Sequence, residues 1–207
     1  MLVLVRHCES EGNSSGLLLG RTDSPLTARG RCQAVALKSL VAATVGAVGA
    51  SRLISSPLLR AVSTAEALDL GSAVEVDQRW VEVDYGELEG ERLTDVPAEV
   101  WRTWRTDPDF RPEGGETLVE LGSRVRGACE ELFATQGSGA RADRDVVVVS
   151  HVSPIKAAVA WALGVEDSVA WRLWLATASV TVIGWGTGSP VLRSYNQVAP
   201  SDADMDV

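Results

Sequence analysis

Two short apolar runs, each ending at a histidine, constrain the fold of this chain more than any other feature. Residues 2–5 run into Arg6 and His7, and residues 145–150, with four consecutive valines, stop at His151. Continuous runs of leucine and β-branched residues of this length are typical of strands buried on both faces of a parallel sheet. The sequence therefore predicts two buried strands whose carboxyl ends carry the only two histidines of the chain.

Strand and helix patterns alternate along the rest of the chain, which indicates an α/β fold. We expect a three-layer sandwich, in which a mostly parallel central sheet is flanked by helices. Ser56 and Pro57 have the types favoured at the N-cap and first position of a helix. The further predicted strands are 52–55, 74–76, 169–176, 179–186 and 190–196, and the predicted helices are 27–46, 58–69, 97–106, 116–134 and 154–163.

The chain length of 207 residues fits one domain, residues 1–207. No linker or internal repeat divides it. Residues 77–135 carry an acidic stretch and two predicted helices, and we interpret them as a small cap inserted over one edge of the sheet. The acidic end of the chain, about residues 200–207, is predicted to be frayed.

Composition excludes several classes of function. The net charge is −9, with 19 basic and 28 acidic residues, which disfavours a nucleic-acid partner. No run approaches the roughly 18 apolar residues of a membrane span, so no membrane partner is expected. Three cysteines without CxxC spacing indicate reduced thiols and a cytoplasmic location. Two histidines are too few for a histidine-rich metal site, and no metal is expected.

Four cationic or titratable side chains are predicted to meet at one edge of the sheet. His7 and His151 follow buried strands, Arg6 adjoins His7, and Arg60 lies in the first turn after the 52–55 strand. Ligands of open α/β sheets bind at the carboxyl ends of the strands. A single histidine there is usually a structural loop residue, but two histidines with two arginines favour a phosphate-binding or phosphoryl-transfer site.

Five segments, in order along the chain, form a set of motifs. The segments are Leu4-Val5-Arg6-His7-Cys8-Glu9-Ser10-Glu11-Gly12-Asn13, Gly20-Arg21-Thr22-Asp23-Ser24-Pro25-Leu26-Thr27, Ser55-Ser56-Pro57-Leu58-Leu59-Arg60-Ala61, Glu82-Val83-Asp84-Tyr85-Gly86-Glu87-Leu88-Glu89-Gly90 and Val148-Val149-Ser150-His151. They resemble the motifs of the histidine phosphatase superfamily, also called phosphoglycerate mutase-like proteins. The first segment is similar to the Arg-His-Gly-Glu motif, the fourth to the proton-donor loop and the fifth to the last histidine block.

The resemblance implies a role for each matched residue. His7 would be the nucleophile that takes a phosphoryl group, and Glu82 the general acid and base. Neither a metal nor an organic cofactor is implied. Arg6, Arg60 and His151 would form the phosphate pocket, with Asn13 as a further donor, and Gly20, Arg21 and Tyr85 would contact the substrate.

Two points of this assignment depend on single residues. The residues alone do not distinguish Glu82 from Asp84 or Glu87 as the acid, and only the resemblance selects Glu82. Cys8 stands where the family usually has glycine. We expect it to be a small buried residue that preserves function, the alternative being an oxidisable thiol beside the arginines.

The short cap and the sequence Pro-Glu-Gly-Gly-Glu at 112–116 resemble the phosphatase branch. We therefore expect hydrolysis of a small phosphorylated metabolite. The first alternative is a phosphoglycerate mutase-type phosphotransferase, and the second is a non-catalytic protein that binds a phosphorylated ligand or a protein. Trp101 and Trp104 are expected in the core of the cap, or else in the pocket wall. Residues 170–185, with their tryptophans Trp171, Trp174 and Trp185, are a candidate edge for a homodimer.

Overall fold

A six-stranded sheet forms the centre of the computed structural model, which describes residues 1–46, 49–135, 145–185 and 188–200. The strands are β1 (Leu2–Arg6), β2 (Ala50–Ser55), β3 (Val74–Val76), β4 (Asp145–Ser150), β5 (Ser179–Trp185) and β6 (Pro190–Val198). Their spatial order is β3-β2-β4-β1-β5-β6. The first four strands of this order are parallel, β5 runs antiparallel to β1, and β6 runs antiparallel to β5.

Helices cover both faces of this sheet, so the predicted three-layer α/β fold is confirmed. Val3 and Val5 face the layer of α2 and α3, whereas Leu2 and Leu4 face the layer of α5 and α6. This alternation follows from the two-residue period of a strand. The helices are α1 (Glu11–Ser14), α2 (Ala28–Val45), α3 (Leu59–Leu68), α4 (Ala98–Thr106), α5 (Leu118–Thr135) and α6 (Val152–Leu163).

The register between β1 and β4 brings the two histidine-bearing strand ends together. Arg6 is paired with Ser150, and the amide of His7 donates to the carbonyl of Ser150 at 3.0 Å. His7 and His151 therefore leave the sheet side by side. Ser55, the last residue of β2, is paired with Val149, so the loop that leads to α3 begins at the same edge.

The segment from 169 to 176 is not the strand that its apolar pattern predicted. Residues Asp167–Arg172 form a 3₁₀ helix, and Trp171 packs edge-on against Trp101 and Trp104, with ring centres 6.3 and 6.1 Å away. The segment buries its aromatic side chains against α4 instead of pairing in the sheet. The candidate dimer edge is also wrong in its position, because β5 is paired on one side with β1 and on the other with β6.

The start of α3 also differs from the prediction. Its N-cap is Leu58, which has no side-chain capping bond, so Ser56 is not the cap. The carboxylate of Asp23, 36 residues earlier, accepts a hydrogen bond from the amide of Leu59 at 2.7 Å instead. A capping group from a distant loop leaves no pattern in the sequence next to the helix.

The second half of the predicted cap, helix α5, packs against the central sheet. Helix α5 contributes Val125, Cys129 and Leu132 to the core cluster that also contains Leu2 and Leu4. Residues 77–116 lie outside the sheet and carry α4. Of the predicted frayed tail, residues 201–207 lie outside the described residues. None of the helices described here has the length and apolar character needed to cross a membrane.

Replacement of Asp23 by alanine is expected to destabilise the protein by about 1 kcal/mol, because the amide of Leu59 at the first turn of α3 loses its side-chain acceptor. The measurement is the midpoint of urea unfolding. Asp109→Ala removes an exposed aspartate and serves as the matched control. Equal midpoints for the two variants would contradict the capping role of Asp23.

Candidate active site

A cavity of about 340 Å³ opens at the carboxyl ends of the parallel strands. Arg6 and His7 reach it from the end of β1, Arg60 from α3, and Glu82 from the loop after β3. Of the four side chains predicted to meet at this edge, Arg6, His7 and Arg60 therefore line one cavity, and Glu82 lines it with them. His151 is fully buried beside His7, with ring centres 5.0 Å apart, and is not itself part of the cavity wall.

His7 is held in a form suited to nucleophilic attack. Its Nδ1 lies 2.7 Å from the carbonyl oxygen of Cys8. A carbonyl only accepts, so Nδ1 carries the proton and Nε2 of the neutral ring keeps its lone pair. Burial lowers the pKa of His7 well below its ordinary value, and the charges of Arg6 and Arg60 lower it further. The imidazole is consequently uncharged near neutral pH.

The second histidine is also neutral, and one of its ring nitrogens is free. Burial is the main cause that lowers the pKa of His151 well below its ordinary value, and His7 and Arg60 add to it. Nε2 of His151 lies 2.7 Å from the hydroxyl of Ser56, while Nδ1 is buried and has no partner among residues 1–46, 49–135, 145–185 and 188–200. When Ser56 donates to Nε2, the ring proton sits on Nδ1 and is available to a ligand. Ser56, predicted as a helix cap, is thus a positioning residue.

The two arginines are held by backbone carbonyls and not by carboxylates. Arg6 donates to the carbonyl of Leu175 at 2.6 Å, and its Nε is buried without a partner. Arg60, only 1% exposed, donates to the carbonyls of Thr22 and Gly20, both at 2.8 Å. Because no side-chain carboxylate of the described residues makes an ion pair with either guanidinium, both positive charges remain available to an anion.

The carboxylate of Glu82 is buried at the start of a helix. It is 4% exposed, and its Oε1 accepts from the amides of Val83 at 2.8 Å and Ser153 at 3.3 Å. Ser153 lies in the first turn of α6, where free amides favour an acceptor. Asp84 and Glu87, the other candidate acids, do not line the cavity.

Arg124 of α5 fixes the backbone that carries Glu82. Its Nη1 donates to the carbonyls of Arg79 and Val81, and its Nη2 to the carbonyl of Glu82 at 3.2 Å. Glu116 holds the same guanidinium through Oε1 at 2.7 Å and Oε2 at 2.9 Å. Sequence reasoning missed this positioning residue, because the three carbonyls that it fixes lie more than 40 residues away.

A second contact joins the Glu82 loop to the Pro-Glu-Gly-Gly-Glu segment. The amide of Glu87 donates to the carbonyl of Glu113, and the amide of Glu116 donates to the carbonyl of Asp84, both at 2.9 Å. Gly86 has φ +54°, and a Cβ there would lie 2.0 Å from the carbonyl oxygen of Glu113. Glycine is required at this position by both its backbone angle and the close approach.

The structure places two of the four predicted substrate contacts in the cavity wall and two outside it. Asn13 and Tyr85 line the cavity, whereas Gly20 and Arg21 do not. The amide oxygen of Asn13 accepts from Ser10, which leaves its Nδ2 free to donate. Tyr85 packs edge-on against a cap tryptophan, and burial raises the pKa of its hydroxyl.

Gly20 and Arg21 belong to a loop that is held next to the cavity. The carboxylate of Glu89 accepts from the amide of Gly20 at 2.9 Å. Arg21 makes an ion pair with Glu116 at 3.2 Å. Their predicted contact with the substrate stays a prediction. Glu89, which the sequence did not single out, organises the loop whose carbonyls hold Arg60.

Cys8 lies in a buried environment beside the active site. Cys8 is fully buried, and burial raises the pKa of its thiol to about 11, so the structure favours the small buried residue and not the reactive thiol. Its amide donates to the hydroxyl of Thr64, which ties the His7 loop to α3.

Trp101 and Trp104 stack with ring centres 5.9 Å apart. They form part of the cap core and also line the cavity, so both interpretations hold.

Comparison with known proteins identifies the family. Residues 2–198 match the model of the histidine phosphatase superfamily, branch 1. Phosphoserine phosphatase 1 of Hydrogenobacter thermophilus is 34% identical over 188 residues, which cover 88% of this chain and 85% of that protein. The probable phosphoglycerate mutase GpmB of Serratia proteamaculans is 36% identical over 186 residues, which cover 86% of this chain and 81% of that protein.

A solved structure agrees with these relatives. The mycobacterial glucosyl-3-phosphoglycerate phosphatase complexed with VO3 superimposes with a TM-score of 0.81 at 30% identity, covering 94% of this chain and 98% of that chain. The chain belongs to the histidine phosphatase superfamily, as the five segments indicated.

Both imidazoles are expected to stay uncharged as the pH falls through 6.5, because burial and the neighbouring arginines lower their pKa values. The chain has only two histidines, so ¹⁵N NMR of the rings gives two sets of signals, and His7→Ala assigns them. The urea-unfolded chain is the control and should titrate near 6.5. A ring that titrates near 6.5 in the folded protein would contradict the described environment.

Proposed function

We propose that this member of the histidine phosphatase superfamily hydrolyses small phosphomonoesters through a phosphohistidine on His7, with Glu82 as general acid and base. The observation that carries the proposal is the state of His7, a neutral imidazole whose Nδ1 is held by the carbonyl of Cys8 beside two arginines. A ring in this form offers the Nε2 lone pair to an electrophile that the arginines attract.

In the first half of the reaction, Nε2 of His7 attacks the phosphorus of the bound ester. The bond between nitrogen and phosphorus forms as the bond between phosphorus and the ester oxygen breaks. Glu82 in its protonated form gives its proton to the departing oxygen, so the alcohol leaves neutral. The carboxylate that remains is stabilised by the amides of Val83 and Ser153.

In the second half, water attacks the phosphorus of the phosphohistidine. The Glu82 carboxylate takes a proton from that water, and the bond between nitrogen and phosphorus breaks. Neutral His7 is restored, inorganic phosphate leaves, and Glu82 is again protonated for the next cycle. Atoms and charges balance with water as the only co-reactant.

The remaining pocket residues stabilise charge on the phosphoryl oxygens. Within the described part of the chain, Nε of Arg6 and Nδ1 of His151 are buried without a partner, and the amide nitrogen of Asn13 has no acceptor. Donors already in place cost no reorganisation when the transition state forms. We assign them, together with Arg60, to the equatorial oxygens of the phosphoryl group.

The substrate class rests on the cavity and the relatives. A volume of about 340 Å³ suits a small metabolite. The similar proteins are named for phosphoserine, glucosyl-3-phosphoglycerate and phosphoglycerate. The cap arginines Arg102 and Arg105 do not line the cavity, which favours hydrolysis over mutase chemistry with a substrate held by paired arginines.

We also propose that the protein works in the cytoplasm and forms a homodimer. The three cysteines are free thiols, two of them buried, which fits a reducing compartment. The sheet leaves β3 and β6 as its outermost strands, so a dimer formed through a sheet edge would use one of these two.

Incubation with a ³²P-labelled phosphomonoester should label the protein with an acid-labile, alkali-stable phosphate, as expected of a phosphohistidine. The His7→Ala variant should carry no label and release no phosphate. Phosphate release by the wild-type enzyme should persist in excess chelator. Retained turnover by the variant would exclude the mechanism, and isomerisation of 3-phosphoglycerate without phosphate release would favour the mutase.

The Glu82→Gln variant should lower kcat for alkyl phosphates by about 10²- to 10⁴-fold, because a poor leaving oxygen needs the proton. The loss should be much smaller for p-nitrophenyl phosphate, whose phenolate leaves without protonation. Glu87→Gln, at an exposed position in the same loop, is the matched control and should behave as wild type. An equal loss for both substrates would argue against Glu82 as the general acid.

A further inference from the structure

The cavity contains a third cation that the hydrolytic mechanism does not use. Lys156 lies on α6, one turn beyond Ser153, and lines the cavity together with Ser153 and Glu82. Its side chain is half-buried. Arg6, Arg60 and Lys156 are the only lysine or arginine side chains in the wall of this cavity, within the part of the chain that the structure describes.

The ammonium group of Lys156 has no fixed partner. Among the residues of the four described segments, none places an oxygen within hydrogen-bonding or ion-pairing distance of it. Burial lowers the pKa of Lys156, the charge of Glu82 opposes that shift, and Arg6 adds to it. A cation kept partly out of water without a partner costs free energy that an incoming anion would recover.

Neither acidic residue of the cavity wall supplies that anion. Asp167 makes its ion pair with Arg126 at 3.3 Å. Glu82 accepts from two backbone amides, and among the described residues it makes no ion pair with Lys156. Neither wall carboxylate of the described residues therefore neutralises the ammonium group of Lys156.

The surroundings of Lys156 place it on the leaving-group side of the site. Arg6, Arg60 and His7 gather where the phosphoryl group binds, and beyond them the wall is mainly apolar. The apolar part consists of Leu17, Leu93, Trp101, Trp104, Leu121 and Trp171. A leaving group that enters this space meets one positive charge, on the residue one turn beyond Ser153, whose amide donates to Glu82.

We propose that Lys156 is a specificity-determining residue that binds a carboxylate on the leaving group, so that the preferred substrates are phosphomonoesters of small hydroxy acids. The proposal rests on the proposed function for the placement of the phosphoryl group. Besides the two arginines at the phosphoryl group, Lys156 is the one lysine or arginine that the described residues place in the cavity wall, so a larger anionic group would find no second cation. Because Lys156 lies near Glu82, the bound carboxylate would be a few bonds from the ester oxygen.

The test compares two esters that differ at one group. 3-Phosphoglycerate carries a carboxylate where glycerol 3-phosphate carries a hydroxymethyl group. Lys156→Met keeps the length of the side chain and removes the charge, Lys156→Arg keeps the charge, and Lys38→Met on exposed α2 is the matched control. The quantity measured is the ratio of kcat/KM for 3-phosphoglycerate to kcat/KM for glycerol 3-phosphate.

The wild-type ratio should favour 3-phosphoglycerate, and Lys156→Met should lower it by about 10- to 100-fold, the range expected for a charge-assisted hydrogen bond. Lys156→Arg should keep most of the preference, and Lys38→Met all of it. An unchanged ratio in Lys156→Met, or an equal fall in kcat/KM for both esters, would overturn the proposal.

A binding measurement separates this proposal from the hydrolytic one. Trp101, Trp104 and Trp171 line the cavity, so tryptophan fluorescence should report ligand binding without turnover. In the His7→Ala background, 3-phosphoglycerate should bind more tightly than glycerol 3-phosphate, and the further change Lys156→Met should remove the difference. If this holds although the wild-type chain hydrolyses neither ester, the proposed hydrolysis fails and the role of Lys156 stands. If hydrolysis is found but no Lys156-dependent preference, the reverse is true.

Discussion

The parallel pairing of β1 with β4 is the constraint on which the rest of the site depends. It aligns Arg6 with Ser150, so the next residue of each strand is a histidine at the same buried edge. Because valine and leucine side chains cover both faces of these strands, the two rings emerge in a buried part of the protein. Burial is the largest cause of both lowered pKa values, so the same packing that stabilises the sheet keeps both imidazoles neutral.

Glu82, the proposed general acid, lies on a loop next to the 19–22 loop, and each of these two loops is held by a charged side chain that bonds to backbone atoms. Arg124 binds three carbonyls of the 79–82 segment, Arg60 binds carbonyls of the 19–22 loop, and Glu89 binds amides of that same loop. Bonds from a charged group to backbone atoms fix the path of a loop whatever its side chains are. The loops can therefore vary in sequence while Glu82 stays in position.

The sequence contained enough information for the central strands, the flanking helices and the convergence of Arg6, His7, Arg60 and His151, because these depend on local hydrophobic pattern and on strand ends. The choice of Glu82 over its acidic neighbours came only from the family resemblance. The predictions that failed concerned features that depend on contacts between residues far apart in the sequence. Asp23 caps α3 from another loop, and the segment around Trp171 packs into the cap instead of extending the sheet. Arg124 was missed for the same reason, since the atoms that it binds in the 79–82 segment are backbone carbonyls, which no side-chain pattern reveals.

The distribution of ion pairs explains how an acidic chain can attract an anion. Some arginines on the outer surface make ion pairs with carboxylates, as Arg52 does with Glu75 and Arg111 with Glu120. The cavity cations make no such ion pairs, since the two arginines bond to carbonyl oxygens and Lys156 has no partner among the described residues. A dipole holds a guanidinium in place without cancelling its charge. The net charge of −9 therefore lies mostly where it does not oppose binding, and the positive potential is concentrated at the strand ends, where a phosphoryl group would bind.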